Sequence, residues 1–291
     1  MPPLVSIVIP CYRGAEFLPK AIESCLAQSH PELEVLVVDD ASPDDCAAIA
    51  ERYAAKDARV RLIRRAANGG VAAAFNTGFN AAKGDYFTRL AQDDWFREDA
   101  VEIMLRTFAA HPQAGLVYCN MHATTDTGEI VCCFVQRAPP DAVRHGNGVG
   151  LCVMWRRGVW VAVGCFDGSY DTAEDYDYWC RVAEKFPLAH CREAPLIVRY
   201  HTDMGSFQRR ARQELATARV RARYARTPAE ARACFAEAHY LAGHACRTVG
   251  AFGPALAHFL KAIGHTPLAG KCWRGLLGAL LRRGAMERPY G

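Results

Sequence analysis

The chain has 291 residues, 51% of them hydrophobic and 23% charged, a composition that excludes a disordered or fibrous protein and allows a large globular domain with an appendage. No uninterrupted apolar run reaches the ~20 residues needed to span a bilayer, and the N-terminus lacks the basic-then-apolar pattern of a secretory leader. The net charge of +4 is unevenly placed: from Phe207 onward there are 15 Arg and Lys against 4 Asp and Glu, so the preceding body is net acidic and the tail is suited to an anionic surface.

The first element is Leu4–Ile9, a near-continuous apolar run of the kind buried on both faces of a parallel sheet. Pro10 ends it, and Cys11 to Gly14 form a loop. Phe17, Leu18, Ala21, Ile22, Cys25 and Leu26 then recur at helical spacing. Glu34–Val38 is a second strand ending in Asp39-Asp40. Ser42-Pro43-Asp44-Asp45 fits an N-cap, a Pro at the first helical position and acids in the first turn, with helix continuing from Ala47 to Tyr53. Val60–Ile63 is a third strand. In Asn68-Gly69-Gly70 the glycines permit positive φ or close approach of a ligand to the backbone. Val71–Ala82 is helical, and a short strand at Tyr86-Phe87 leads through Arg89 to Asp93-Asp94, ahead of a helical pattern from Glu98 to Phe108. Strand and helix alternate four times, the pattern of βαβ units around a parallel sheet.

From Gly115 the pattern changes. Leu116–Asn120 and Ile130–Val135 read as strands joined by a polar turn containing Asp126 and Gly128. A flexible stretch, Gly146 to Gly150, precedes two short apolar runs, Leu151–Trp155 and Trp160–Val163, and a turn at Gly164–Asp167. Glu174-Asp175 opens a short amphipathic helix to Phe186, and Leu196–Tyr200 is a final strand ending in His201. Beyond Phe207 three helices are expected, 208–226, 229–249 and 253–263, separated by Thr-Pro and Gly-rich signals. Leu241, Ala245, Ala255, Phe259 and Ala262 resemble one hairpin of a tetratricopeptide array, too little to sustain a solenoid. The expected organisation is an α/β domain over residues 1–206, with a nucleotide-binding part to 115 and an acceptor-side part from 116, and a basic helical region over 207–291. Thirteen cysteines, an odd number without metal-ligand spacing, point to reduced thiols and a cytoplasmic setting.

Three carboxylate pairs lie where strands end or a helix begins: Asp39-Asp40, Asp93-Asp94 and Glu174-Asp175. Ligands of open α/β sheets bind outside the carboxyl ends of the strands, and a hard divalent cation there takes one or two carboxylates and completes its shell with substrate phosphates. Each pair could instead cap a helix.

Leu4–Tyr12, Val37–Asp44, Asn68–Gly78, Gln92-Asp93-Asp94, Gly164–Asp167 and Glu174–Arg181, in that order and with ordinary gaps, resemble the serial motifs of glycosyltransferase family 2 across roughly residues 3 to 206. The resemblance implies the GT-A fold, a Rossmann-like, mainly parallel sheet flanked by helices. It also implies a nucleotide-diphosphate sugar donor, UDP-linked in the first instance, inversion at the anomeric carbon, and Mg²⁺ or Mn²⁺. On the matching positions, Pro10, Tyr12, Asp40, Asn68, Asn76 and Asp93 are expected to bind the nucleotide. Asp40 would accept a hydrogen bond from the base, Tyr12 would stack on it or pack in the core, and Asp93 would meet the ribose. Asp94 is the expected direct metal ligand, with His201 as a further contact to metal or diphosphate, or else structural. Asp175 is the expected general base, with Glu174 as the alternative.

The chain departs from the family pattern at Ala91, where a further Asp is common, and at Phe75, where an Arg commonly precedes the Asn. The Gln-x-x-Arg-Trp signature of processive synthases is missing, since Trp179-Cys180-Arg181 does not supply it. The expected activity is therefore single transfer of a hexosyl or N-acetylhexosaminyl group to a glycan or lipid-linked acceptor in cell-envelope polysaccharide synthesis. The basic tail would either associate peripherally with anionic membrane or form a solvated helical face, and no nucleic-acid partner is expected. The alternatives are a catalytically impaired nucleotide-sugar-binding scaffold and a sugar nucleotidyltransferase. The latter would want a phosphate-cradling loop after the first strand, of which Cys11–Gly14 is a poor version.

Overall fold

The structure, a computed structural model, describes residues 2–125, 129–139, 142–143, 146–199 and 210–282. By contact density the chain divides into two compact units, Met1–Ser169 with Glu174–His201, and Tyr170–Ala173 with Thr202–Gly291.

The first unit is built on one nine-stranded sheet in the order β3-β2-β1-β4-β8-β6-β9-β5, with β7 paired to β6 alone. Its first half is parallel: β1 (Val5–Cys11) lies between β2 (Leu33–Asp39) and β4 (Tyr86–Arg89), and β3 (Val60–Arg64) extends it beyond β2. The apolar runs read from the sequence explain this placement, because Val5, Ile7, Val8 and Ile9 are wholly buried, as a central parallel strand requires. The crossovers are α1 (Leu18–Leu26), α2 (Cys46–Ala54) and α3 (Gly70–Ala81).

The second half is mixed. β8 (Val153–Arg156) runs antiparallel to both β4 and β6 (Leu116–Thr124), and β9 (Leu188–Arg199) runs parallel to β6. β5 (Trp95–Phe96) pairs antiparallel with β9, and β7 (Ile130–Phe134) with β6. α4 (Ala100–Ala110), α5 (Arg157–Val163) and α6 (Glu174–Ala183) complete the unit. The apolar run at Trp160–Val163 is thus helical, closed by Gly164 at φ +86. The expected turn at Asp126 and Gly128, and Tyr200 and His201, lie outside the described residues.

An aromatic core ties α3, β4, β8 and α6 together. Phe79 stacks on Phe75 and Phe87 at centroid distances of 5.8 and 5.5 Å and meets Trp155 edge-on at 4.8 Å. Phe166 lies 4.4 Å from Tyr178. Such pairs add about 0.5–1.5 kcal/mol each beyond their burial, so the helix that begins with Glu174-Asp175 is anchored firmly to the sheet.

The second unit contains four described helices: α7 (Arg210–Arg223), α8 (Pro228–Thr248), α9 (Phe252–His265) and α10 (Gly270–Leu280). α8 starts where the sequence signals it: Thr227 Oγ1 accepts from the Glu230 N–H at 3.1 Å, and Pro228 follows as the first helical residue. Phe259 is fully buried among α8, α9 and α10. Leu241, one of the hairpin positions, is 37% exposed, and α10 adds a fourth helix to the three the sequence signals.

Candidate functional site

The loops after β1, β2 and β4 are stitched together by their own side chains. The Tyr12 N–H donates to Gln92 Oε1 at 2.9 Å, and Gln92 Nε2 donates back to the Tyr12 carbonyl at 3.0 Å. Gln92 can lie there because Gly14 has no Cβ, which would stand 2.1 Å from the Gln92 amide carbon. The Arg13 N–H donates to Ser42 Oγ at 2.7 Å and the Ala15 N–H to Asp44 Oδ2 at 2.9 Å. Ser42 is therefore not the helix cap expected of it. Its hydroxyl also donates to Asp44, Ala41 adopts φ +54, and α2 starts only at Cys46. Pro10 lies within β1 and Tyr12 beyond its end, with Tyr12 38% exposed and the Arg13 guanidinium 5.4 Å over its ring.

Asp40 is 3% exposed and follows directly on β2. Its carboxylate accepts from Arg65 Nη1, from the Gly69 N–H at 3.1 and 3.2 Å, and from the Gly70 N–H at 2.9 Å. Gly70 sits at φ +80, a left-handed conformation that favours glycine there. Asn68 is exposed, its Oδ1 accepting from Gly70 N at 3.3 Å. A carboxylate offers about four lone-pair positions. Three internal donors, Arg65 Nη1 and the Gly69 and Gly70 N–H groups, already engage Asp40, which leaves about one lone-pair position for a nucleotide base.

Asn76 has both ends of its amide engaged by one residue: Nδ2 donates to the Phe166 carbonyl and Oδ1 accepts from the Phe166 N–H, each at 2.9 Å. It clamps α3 to the Gly164–Asp167 turn, and the structure gives its amide no contact with the other nucleotide candidates.

Asp94 is 4% exposed. The capping alternative is not what its side chain does: Oδ1 accepts from the Arg199 N–H of β9 at 3.1 Å, and α4 begins six residues later. Burial, then the neighbouring Asp93 carboxylate, pushes the Asp94 carboxyl well above the usual range. The Arg199 N–H and the charges of Arg89 and Arg199 pull the other way. Two adjacent carboxylates of which one is buried and repelled by the other suit a divalent cation, since its charge would relieve that repulsion. Among the described residues no group of three or more His, Cys, Asp or Glu is gathered to hold a metal. The donor set here is two oxygens at most, which fits a cation finished by substrate phosphates. Asp93 is half-buried, and His201 lies outside the described residues.

Asp175, 9% exposed, is the second residue of α6. Its Oδ2 accepts from Asn147 Nδ2 at 3.0 Å and faces Arg89 Nη1 at 3.6 Å, while Oδ1 accepts from the Tyr176 N–H at 2.7 Å. Glu174 is also buried, at 6%. Asp177, wholly buried, is paired with Arg181 at 2.8 Å, and Arg181 in turn donates to the Val163 and Cys165 carbonyls. That acid is structural, and Asp175 and Glu174 remain the two carboxylates at the start of α6.

Sequence reasoning gave no role to Arg89, Gln92, Asn147 or Arg199. Arg89 and Gln92 stand in the stretch that delivers Asp93-Asp94, and their position after a strand was the available signal. Asn147 stood in a Gly-rich run that reads as plain loop, and Arg199 acts on Asp94 through a backbone N–H, which no side-chain pattern reveals.

Residues 6–132 match a family model described as Glycosyl transferase family 2. The chain is 29% identical over 221 residues to an uncharacterized glycosyltransferase of Rickettsia felis, covering 70% of this chain and 35% of that protein. It is 30% identical over 191 residues to a chondroitin synthase of Escherichia coli, covering 65% and 28%. The chain thus spans about a third or less of the length of these relatives. Among solved structures it resembles the mannosyltransferase PcManGT from Pyrobaculum calidifontis in complex with GDP-Man and Mn²⁺, with a TM-score of 0.62 at 18% identity over 97% of this chain and 81% of that one. It also resembles S. aureus TarS 1-349 in complex with UDP-GlcNAc, with a TM-score of 0.62 at 12% identity over 96% and 92%. At these identities the likeness establishes the fold, which is GT-A. A mixed sheet of this topology, a match that runs from β1 into β7 and relatives named glycosyltransferase and chondroitin synthase make the chain similar to glycosyltransferase family 2 over residues 6–132.

Proposed function

We propose that this chain is an inverting, non-processive glycosyltransferase. It moves one hexosyl or N-acetylhexosaminyl group from a nucleoside-diphosphate sugar, UDP-linked in the first instance, to a hydroxyl of a glycan or lipid-linked acceptor in cell-envelope polysaccharide synthesis. The observation that carries this reading is that one buried cation, Arg89, faces Asp175 and acts on Asp94, so that a base candidate and a metal candidate share one neighbourhood. The acceptor oxygen would bond to the anomeric carbon as its proton passes to Asp175 and the bond to the diphosphate breaks, the electron pair leaving with the nucleotide. Inversion follows from a single in-line displacement. Mg²⁺ or Mn²⁺ held by Asp94, with Asp93 beside it and the donor phosphates completing the shell, would supply charge neutralisation for the departing diphosphate. The named ligands of the structural neighbours, GDP-Man with Mn²⁺ and UDP-GlcNAc, support a nucleotide-sugar donor without choosing the base. Asp40 is a hydrogen-bond acceptor and matches the N–H of uracil or guanine alike.

The test is a thermal-shift screen of UDP-, GDP- and dTDP-sugars with and without Mn²⁺, on wild type and Asp94→Ala, since a ligand of the native state raises apparent stability. A metal-dependent shift with one nucleotide class, lost in the variant, is the expected result. No shift with any nucleotide would sink the reading. The three internal donors already on Asp40 favour one second reading, a nucleotide-sugar-binding scaffold, for which binding without turnover across an acceptor panel is the signature.

For the C-terminal region we propose peripheral attachment to the cytoplasmic face of an anionic membrane. Among the described residues no helix is long and apolar enough to cross a membrane. Residues 249–282 contain no Asp or Glu but carry Lys261, Lys271, Arg274 and Arg282. In the same segment Leu260, Trp273, Leu277, Leu280 and Leu281 are each more than half exposed. Basic residues near such a surface contribute about 1 kcal/mol each. Co-sedimentation of the full chain with anionic but not zwitterionic vesicles, reduced by Trp273→Ala with Leu277→Ser, is the expected outcome. Equal recovery with both vesicle types would end the idea.

A further inference from the structure

Arg89 closes β4, and four observations single it out. It is 8% exposed, although arginine is seldom buried unless paired. Its guanidinium carbon lies 4.8 Å over the Phe75 ring, which fixes the plane of the group without supplying an acceptor. Its Nη1 faces Asp175 Oδ2 at 3.6 Å, within ion-pair range but too far for a hydrogen bond. That same Nη1, fully buried, has no hydrogen-bond partner among the described residues.

A buried N–H on a charged group is costly to leave unsatisfied, and nearly all such groups in folded proteins find an acceptor. A bound molecule that brings its own acceptor would satisfy it. Its chemistry follows from where Arg89 stands, beside Asp175 and close enough to Asp94 to act on its charge. Under the transferase reading, on which this inference rests, the acceptor hydroxyl is neutral and the donor diphosphate is the anion. A guanidinium is shaped to donate to phosphate oxygens.

We infer that Arg89 binds the diphosphate of the donor, a small turn of its guanidinium bringing Nη1 out of its buried position to the phosphate while the ion pair with Asp175 is kept, so that donor and base are held by one side chain. Phe75 is then the platform that carries the guanidinium. Arg89 contacts the donor directly and positions Asp175, and occupancy of the donor site and alignment of the base become linked.

The test uses the full chain with Mn²⁺, titrated calorimetrically with UDP, GDP and dTDP and with the matching nucleosides, which lack phosphate. Arg89→Met should weaken the diphosphate that wild type binds by about 10-fold or more, the scale of a charged hydrogen bond. It should leave the nucleoside within about twofold, because the base subsite is untouched. Arg89→Lys, which keeps the charge on a flexible stem, should recover part of the diphosphate affinity. With water as acceptor, the same Lys variant should lower kcat for donor hydrolysis more than it raises KM, because an ammonium cannot hold the phosphate and Asp175 in the same geometry. If wild type binds none of the diphosphates, the donor reading itself fails and this inference with it. If wild type binds one and Arg89→Met binds it equally, the role of Arg89 is refuted alone. Equal loss of nucleoside and diphosphate would show Arg89 to be merely structural and would also overturn the inference.

Discussion

Asn76→Ala separates a nucleotide contact from a clamp. The sequence motif places Asn76 among the nucleotide-binding residues, yet its amide is fully used on the backbone of Phe166, with two hydrogen bonds of 2.9 Å. Phe166 is 3% exposed and packs against Phe75, Phe79 and Tyr178. Removing the amide therefore strands a donor and an acceptor out of water. At about 1–3 kcal/mol for each group left unsatisfied, and with some relaxation of an exposed turn, the expected destabilisation is about 2–4 kcal/mol. For a domain of this size 1 kcal/mol corresponds to roughly 2–4 °C, so the melting temperature should fall by roughly 4–16 °C. The assay is a pair of measurements: thermal melting followed by circular dichroism, and calorimetric titration with the bound nucleoside diphosphate and Mn²⁺ at a temperature where both proteins are folded. The clamp predicts a large drop in melting temperature and an affinity within about twofold of wild type. A melting temperature unchanged within a degree, together with a tenfold loss of affinity, would refute the reasoning and return Asn76 to the nucleotide.

Asp175→Asn should lower turnover by about 10²–10⁴-fold, the range for a general base, while leaving nucleotide-dependent thermal shifts in place; unaltered turnover would remove Asp175 from the mechanism. Thr227→Ala should cost about 1 kcal/mol by deleting the cap of α8, read as a lower melting temperature of the helical unit, and Thr227→Ser should restore it. His239 supplies a pH test. Burial, then the nearby His258, Lys261 and His265, pushes it down to about 4, whereas the unfolded ring titrates near 6.5. Between those values the unfolded chain binds a proton that the folded one does not, so stability present above pH 6.5 is lost as pH falls toward 4. His239→Gln should flatten that slope in melts between pH 7.5 and 5.

The parts of this molecule legible in the sequence are those set by local pattern. β1 and β2 announced themselves as unbroken apolar runs because both faces are covered, and Thr227-Pro228 announced α8 because a cap and a fixed φ act within four residues. The switch from parallel to mixed pairing after β4 was not legible, since the direction of β6, β8 and β9 is decided by partners far along the chain. Trp160–Val163 carried β-forming residues yet closes a helix, because Trp160 is drawn into the aromatic core beside Phe79 and Phe87. At the site, the carboxylates were visible as residue types, whereas what holds them was not. Asp94 is bonded by Arg199, 105 positions away, and Asp175 by Asn147 from a loop with no regular pattern.

Strand β9 has a consequence for the boundaries of this protein. The family match ends at residue 132, but a fragment cut there would leave β4 with an unpaired edge, because its neighbour on that side, β8, begins at Val153. β5 would lose the strand against which it lies, and β6 would lose both β8 and β9. Apolar strands with open edges recruit other chains, so the fragment would aggregate rather than yield a smaller enzyme. The segment that carries the most recognisable sequence is thus not autonomous, and any minimal version of the catalytic unit has to run at least to Arg199.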